Sequence, residues 1–283
     1  MDVLWSGIST GTERLLWSGQ MPMFPGMGYP LVPGYESVGR VREAGSRAGV
    51  RVGEIVFVPG AKCFGEVRGL FGGSASRLVV PGARTVPIAE ELGERGVLIA
   101  LAATAYHAIA PATSPAPELI VGHGVLGRLI ARLVVATAAA APTVWERNPQ
   151  RVPGATGYAV THDAADTRRN YRSICDVSGD AAILDTLIGR LAPGGEICLA
   201  GFYGAPLSFA FAPAFMREAR LRIAAQWTEA DLSAVRRLVE SGALSLDGLI
   251  THRRAADQAD AAYRTAFGDP ACLKMVLDWR GLS

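Results

Sequence analysis

The run Glu118-Leu-Ile-Val-Gly122-His-Gly124-Val125-Leu126-Gly127 constrains the fold more than any other part of the chain, because it is an apolar strand turning through GxGxxG into a helix. In that context Gly122 permits the tight turn, Gly124 lets backbone approach a pyrophosphate, and Gly127 lets the helix pack close to the strand. The amides that open the helix, Val125 and Leu126 among them, supply an anion site. Glycine turns between strand and helix are common, so the triplet alone is a weak signal. It gains weight from a second strand, Thr143-Val-Trp-Glu146, which ends in an acid where a carboxylate accepts hydrogen bonds from ribose hydroxyls. Glu146 also repels a 2′-phosphate, which favours NAD over NADP, while Arg147 and Arg151 nearby work against that preference.

From about residue 97 onward, apolar strands and helices alternate. Strands are expected at 118–121, 143–146, 158–161, 173–177, 196–200 and 221–225, and helices at 98–110, 125–139, 181–191 and 231–241. Such alternation predicts an α/β class with a doubly wound parallel sheet. The first hundred residues read differently: Gly- and Pro-rich, with short β-type runs at 31–32, 38–41, 54–58 and 77–80, they predict a small irregular β-barrel. A length of 283 residues with 49% hydrophobic content suits two such domains.

The charges are balanced and interspersed, 28 basic against 26 acidic, so no basic face announces nucleic acid and a small-molecule partner is expected. Cys63, Cys175, Cys198 and Cys272 are scattered, with no CxxC pair, which argues against a disulfide framework and for a reducing compartment. The opening MDVLWSGIST lacks the basic and apolar regions of a signal peptide. The most apolar stretch, 129–141, is interrupted by Arg132 and is too short to span a bilayer. A cytoplasmic location without a transmembrane segment is therefore expected.

Three segments resemble the medium-chain dehydrogenase/reductase superfamily. Gly34-Tyr35-Glu36-Ser-Val-Gly39-Arg-Val41 is similar to its GHE…G…V element, and Asp176-Val-Ser178-Gly179 to its DxxG strand end. Leu249-Ile-Thr-His252-Arg253, followed by a helix at 256–267 and a strand at 274–278, is similar to its C-terminal return. The resemblance implies a Rossmann NAD-binding domain over 98–228 and a discontinuous GroES-like catalytic domain built from 1–97 and 229–283. It adds Ser178 and Gly201 to the cofactor contacts. In zinc-dependent members a Cys, the His of GHE and a further Cys or Asp hold the catalytic metal. Those positions here read Ser9, Tyr35 and Ala100, and Cys63 alone stands for the structural-zinc lobe, so both metal sites are expected to be absent. His107, His123, His162 and His252 have no ligand partner at short spacing.

Within the zinc-free members, the run from Leu4 to Gly19, continuing through Met21-Pro-Met-Phe-Pro-Gly-Met-Gly-Tyr-Pro30, resembles the bacteriochlorophyllide a dehydrogenases of bacteriochlorophyll synthesis. That resemblance implies oxidation of the 3-(1-hydroxyethyl) group of a tetrapyrrole to 3-acetyl with NAD. Members of that family begin earlier, so N-terminal strands of the barrel are expected to be missing here. The resemblance places Tyr35, Glu36, Ser9 and Thr10 at the cleft between domains as candidates for the proton path. Each has a competing structural role: Glu36 ordering a loop, Tyr35 packing, Ser9 and Thr10 capping a turn. Trp17, Met21, Phe24, Met27 and Tyr29 have the composition of a pliable apolar wall for a flat ring, or of a plug for the barrel. Two other functions stay open, a zinc-free quinone or enoyl reductase and a non-catalytic cofactor-binding protein. A homodimer is compatible with the sequence, which does not fix the oligomeric state.

Overall fold

The computed structural model describes residues 1–23, 25–110, 114–138 and 140–282. In chain order its elements begin with β1 (Asp2–Ile8), α1 (Thr12–Trp17), β2 (Leu31–Val32), β3 (Ser37–Arg40), β4 (Ile55–Val58), β5 (Arg68–Gly69) and β6 (Val86–Pro87). The middle of the chain carries α2 (Ile99–Ile109), β7 (Leu119–Val121), α3 (Val125–Thr137), β8 (Thr143–Trp145), β9 (Ala159–Thr161), β10 (Tyr171–Asp176), α4 (Leu184–Ile188), β11 (Leu191–Leu199), α5 (Phe211–Met216), β12 (Arg220–Ile223) and α6 (Glu229–Glu240). Last come β13 (His252–Ala255), α7 (Ala259–Gly268) and β14 (Met275–Asp278). The chain divides into two compact units, Met1–Ala100 with Leu246–Ser283, and Leu101–Ser245.

The first unit is organised around a sheet of order β13-β14-β1-β3-β4-β6. β1 lies inside it, antiparallel to both neighbours, with Ile8 opposite Met275 and Ser6 opposite Ser37. One apolar cluster gathers Val3, Val41, Val56, Val58 and Leu78, and another gathers Ile8, Tyr263, Met275 and Leu277. The short strands at 31–32, 38–41 and 54–58 form close to where the sequence puts them. The run at 77–80 does not become a strand: Arg77 makes a single bridge to Asp2, and the chain turns away at Pro81-Gly82. A Cβ on Gly82 would meet the Ala48 carbonyl at 1.9 Å, so only glycine makes that turn. α1 was not legible, because Thr12–Trp17 holds fewer than two turns, too few for a helical spacing to repeat.

The second unit carries an all-parallel sheet of order β12-β11-β10-β7-β8-β9. Counted within the unit, this is the doubly wound 3-2-1-4-5-6 order, whose direction reverses between β7 and β10. Leu119, Ile174, Leu187, Ile188, Ile197 and Leu199 fill one of its cores. The expected helix at 181–191 shortens to α4, and Pro193-Gly194-Gly195 falls inside β11, where Gly194 N–H reaches the Arg217 carbonyl at 2.7 Å. α6, expected with the barrel, groups instead with the parallel sheet. Its capping residue Asp231 meets His107 Nδ1 of α2 at 2.8 Å, and Arg132 of α3 donates to the Ser245 carbonyl just beyond it. Among the described residues no helix is long and apolar enough to cross a membrane.

Candidate active site and cofactor cradle

At the C-terminal end of β7 the backbone turns through Gly122 with φ +103°, a conformation that favours glycine. A Cβ on Gly127 would sit 1.9 Å from the Gly122 carbonyl oxygen, so α3 reaches this close only because residue 127 lacks a side chain. Gly124, by contrast, faces open space. It is the N-cap of α3, with no side-chain cap and no acid in the first turn, which leaves the first amides of a 13-residue helix available to an anion. Ser178 lies against Gly122, where a Cβ would come within 3.3 Å of Ser178 backbone; its Oγ accepts from Asp180 N–H and so shapes the turn after β10. Gly201 follows β11, its N–H bonded to the Asp176 carbonyl.

Glu146, half-buried at the end of β8, accepts from His123 N–H at 3.0 Å and from Asn148 N–H at 2.7 Å. These bonds hold the carboxylate beside the glycine turn, and each oxygen keeps a lone pair for a further donor. Arg147 does not extend toward that carboxylate's partners: it bonds Asp163 at 2.9 Å and approaches Asp180 at 3.6 Å. The fully buried His123 was not singled out by the sequence. Its Nδ1 lies 2.6 Å from the Arg151 carbonyl, so Nδ1 carries the proton and Nε2 accepts from Tyr158 O–H at 2.8 Å. Burial, reinforced by the Arg128 charge, lowers its pKa to about 4. Arg128 of α3 in turn donates to the carbonyls of His123, Arg151 and Pro153.

In the first unit, Ser9, Tyr35 and Glu36 come together around the C-terminal end of β1. Tyr35 O–H donates to Ser9 Oγ at 2.6 Å, and its ring stands edge-on to Phe71. Burial, then the nearby Glu36 charge, pushes the Tyr35 hydroxyl pKa upward, so it is a neutral donor across the physiological range. Thr10 follows, half-buried. Glu36 is fully buried, and both its carboxylate oxygens receive Lys274 Nζ, at 3.0 and 2.7 Å. Gly7 permits this: a Cβ there would stand 2.2 Å from Glu36 Oε2. Glu36 is thus an internal ion pair rather than an accessible base.

Three members of this cluster were not read as site residues. Glu13, 2% exposed, accepts from Ser9 N–H at 3.1 Å and from Tyr263 O–H at 2.8 Å. Burial raises its pKa to about 7, against the pull of those two donors. Lys274 and Tyr263 lie more than two hundred residues from their partners, beyond any local pattern. The available hint was a lone lysine inside the apolar run Cys272-Leu-Lys274-Met-Val-Leu277.

The apolar wall divides. Met21 and Met27 are buried against Leu16 and Leu70, and so plug the unit instead of lining a surface. Trp17 is half exposed and stacks on Tyr263, with centroids 5.6 Å apart and planes 9° from parallel. Tyr29 is exposed along its ring while its O–H donates to the Leu16 carbonyl. Phe24 lies outside the described residues. Among the described residues no three His, Cys, Asp or Glu side chains gather where they could hold a metal. The donors at the expected zinc positions are hydroxyls bonded to each other, a set poorly suited to zinc.

Residues 2–90 match the alcohol dehydrogenase GroES-like domain. The chain is 59% identical to the 2-desacetyl-2-hydroxyethyl bacteriochlorophyllide A dehydrogenase of Rhodobacter capsulatus over 281 residues, 99% of this chain and 90% of the relative. It is 58% identical to the protein of the same name from Cereibacter sphaeroides, with the same coverage of both chains. Among solved structures, an alcohol dehydrogenase of Escherichia coli in complex with NADH superposes with a TM-score of 0.79 at 20% identity, covering 98% of this chain and 90% of that one. The α/β fold with a GroES-like domain and a Rossmann sheet is that of medium-chain dehydrogenases, and the chain belongs to the family of 2-desacetyl-2-hydroxyethyl bacteriochlorophyllide A dehydrogenases.

Proposed function

We propose that this chain oxidises the 3-(1-hydroxyethyl) side chain of a bacteriochlorophyllide to 3-acetyl, as a step of bacteriochlorophyll synthesis, with NAD as hydride acceptor. The observation that carries this reading is 59% identity, over nearly the whole chain, to a dehydrogenase named for that substrate. The chemistry of the site agrees. A hydroxyl pair, Tyr35 with Ser9, can hydrogen-bond an alcohol but cannot acidify it as a metal would. That deficit is tolerable for an alcohol carbon attached to a conjugated macrocycle, which spreads the developing positive charge. Residues of this chain then orient the alcohol and carry its proton.

Bound NAD supplies the hydride acceptor. Gly122, Gly124, Gly127 and the opening amides of α3 form a cradle suited to its pyrophosphate, with Ser178 and Gly201 beside the turn. The preference for NAD over NADP rests on two features: Glu146 offers its carboxylate to ribose hydroxyls, and Arg147 is already engaged by Asp163 and Asp180. Trp17 and Tyr29, the exposed part of the expected wall, supply flat apolar surface for a tetrapyrrole.

The protein functions without zinc in this reading, and in the cytoplasm, where four free cysteines remain reduced. It pairs as a homodimer through β12, the outer strand of the parallel sheet. Ile223 there is 70% exposed, and Phe211, Phe215 and Met216 just before it are at least 65% exposed. The deciding experiment is a visible spectrum of the 3-hydroxyethyl pigment mixed with protein and NAD. Acetyl conjugation moves the long-wavelength band to the red as NADH appears. Brisk oxidation of ethanol with no change in the pigment would overturn the reading.

A further inference from the structure

The order of the parallel sheet divides the cofactor cradle into two halves, with β7, β8 and β9 in one and β10, β11 and β12 in the other. Glu146 follows β8, so the ribose it suits, that of the adenosine, lies over the first half. With the pyrophosphate at the opening of α3, the nicotinamide extends over the second half, where the loops after β10 and β11 meet. Those loops adjoin the glycine turn. A Cβ on Gly122 would come within 3.3 Å of Ser178 Cα, and one on Gly179 within 3.5 Å of the Phe202 carbonyl oxygen.

Asp176, the last residue of β10, is fully buried between these loops. Its Oδ1 accepts from Ser178 N–H at 3.1 Å and its Oδ2 from Tyr203 O–H, while its carbonyl takes Ala200 N–H at 3.0 Å and Gly201 N–H at 3.1 Å. Both side-chain oxygens accept, as those of an ionised carboxylate do. Burial raises the Asp176 pKa, and the Tyr203 and Ser178 bonds oppose that rise. Burial, then the Asp176 charge, pushes the Tyr203 pKa upward, so the phenol stays neutral and the negative charge resides on Asp176. Among the described residues no cation pairs with Asp176: Arg222 of β12 is held by Glu196 at 3.0 Å, and Arg147 by Asp163 at 2.9 Å.

A buried carboxylate bonded only to neutral donors carries a cost that a counter-ion offsets. The oxidised cofactor brings one, because its nicotinamide is a pyridinium cation, whereas that of the reduced cofactor is neutral. We infer that Asp176 biases the cradle toward the oxidised cofactor, its buried charge favouring the pyridinium of NAD⁺ at loading and giving no such hold on NADH once hydride has arrived. The inference rests on the cofactor site proposed above and is independent of the pigment. At an effective dielectric of about 20 and a separation of about 10 Å, two strand spacings, one unit charge alters a binding constant roughly tenfold.

Calorimetric titration of the whole protein with NAD⁺, NADH and benzamide adenine dinucleotide, a neutral isostere of NAD⁺, tests this. Wild type should bind NAD⁺ about tenfold more tightly than the benzamide compound. Asp176→Asn keeps an acceptor for Ser178 N–H and removes the charge. It should weaken NAD⁺ about tenfold and NADH by less than about twofold, whereas a merely structural loss would weaken both forms together. Glu146→Ala is the control, since the charge it removes lies over the adenosine half, and it should weaken both oxidation states alike. Two results would each overturn the inference: equal wild-type affinity for NAD⁺ and the benzamide compound, or an Asp176→Asn protein whose ratio of NAD⁺ to NADH affinity matches wild type. The first comparison needs no variant and decides the matter if Asp176→Asn does not fold. Wild type that binds none of the three would overturn the proposed cradle, and this inference with it.

Discussion

The ion pair of Lys274 with Glu36 shows how differently two neighbouring residues of a motif can be used. Tyr35 and Glu36 are adjacent in sequence, yet one presents its hydroxyl to Ser9 while the other is sealed against an ammonium from the far end of the chain. Lys274→Met should cost about 3–5 kcal/mol in denaturant melts, because it strands a buried carboxylate. Adding Glu36→Gln should recover part of that loss, and failure to recover would show that the pair contributes little by charge. Tyr35→Phe preserves the edge contact with Phe71 and removes only the O–H, so kcat should fall about 10- to 100-fold with pigment binding unchanged. For the cofactor, Glu146→Ala should weaken NAD by about tenfold and NADP by less, measured by fluorescence titration. Ser9 and Tyr35 could be named as candidates from the family resemblance, and Glu146 from its spacing after the glycines. Glu13, Lys274 and Tyr263 could not, because their meaning arises only where distant strands and helices close on one another.

α3 and the segment that follows β8 are joined by His123 and Arg128, which between them take up the Arg151 and Pro153 carbonyls. The His123 pKa is about 4 in the folded protein and about 6.5 in the unfolded chain, so between these values the unfolded chain binds the extra proton. Stability supplied by neutral His123 is complete above about pH 6.5 and is lost as pH falls toward about 4, to a total of up to about 3 kcal/mol. Melts of wild type and His123→Gln across that window should show a shallower acid slope in the variant; equal slopes would place the titration elsewhere. The long periodic elements were read well from sequence, including the strand–turn–helix of 118–137, since hydrophobic spacing and glycine placement agree there. Short elements such as α1, β5 and α5 were missed, because a six-residue helix holds fewer than two turns, too few for its apolar spacing to repeat, and such elements are fixed by their surroundings. Met21 and Met27 failed as wall residues for a related reason: composition gives their polarity but not the face they present.

Across the whole molecule, the parallel sheet of the second unit, though not its strand order, followed from alternation alone, while the first unit required a resemblance to a known family before its discontinuity could be read. Its sheet is assembled from strands at opposite ends of the chain. A dimer through β12 predicts that Ile223→Lys yields monomers in sedimentation with the parallel sheet intact by circular dichroism; unchanged mass would place any association elsewhere. The position of β1 between β3 and β14 has a further consequence, for synthesis. Residues 2–8 pair early with residues 37–40 but gain their second neighbour only when residues 275–278 emerge, so one edge of that strand waits while more than two hundred residues are translated. The intervening parallel sheet is continuous in sequence and can condense meanwhile. The β1 edge, with Trp5, Gly7 and Ile8 along it, is thus the segment most exposed to wrong pairing during biosynthesis, and the natural place for a chaperone to be needed.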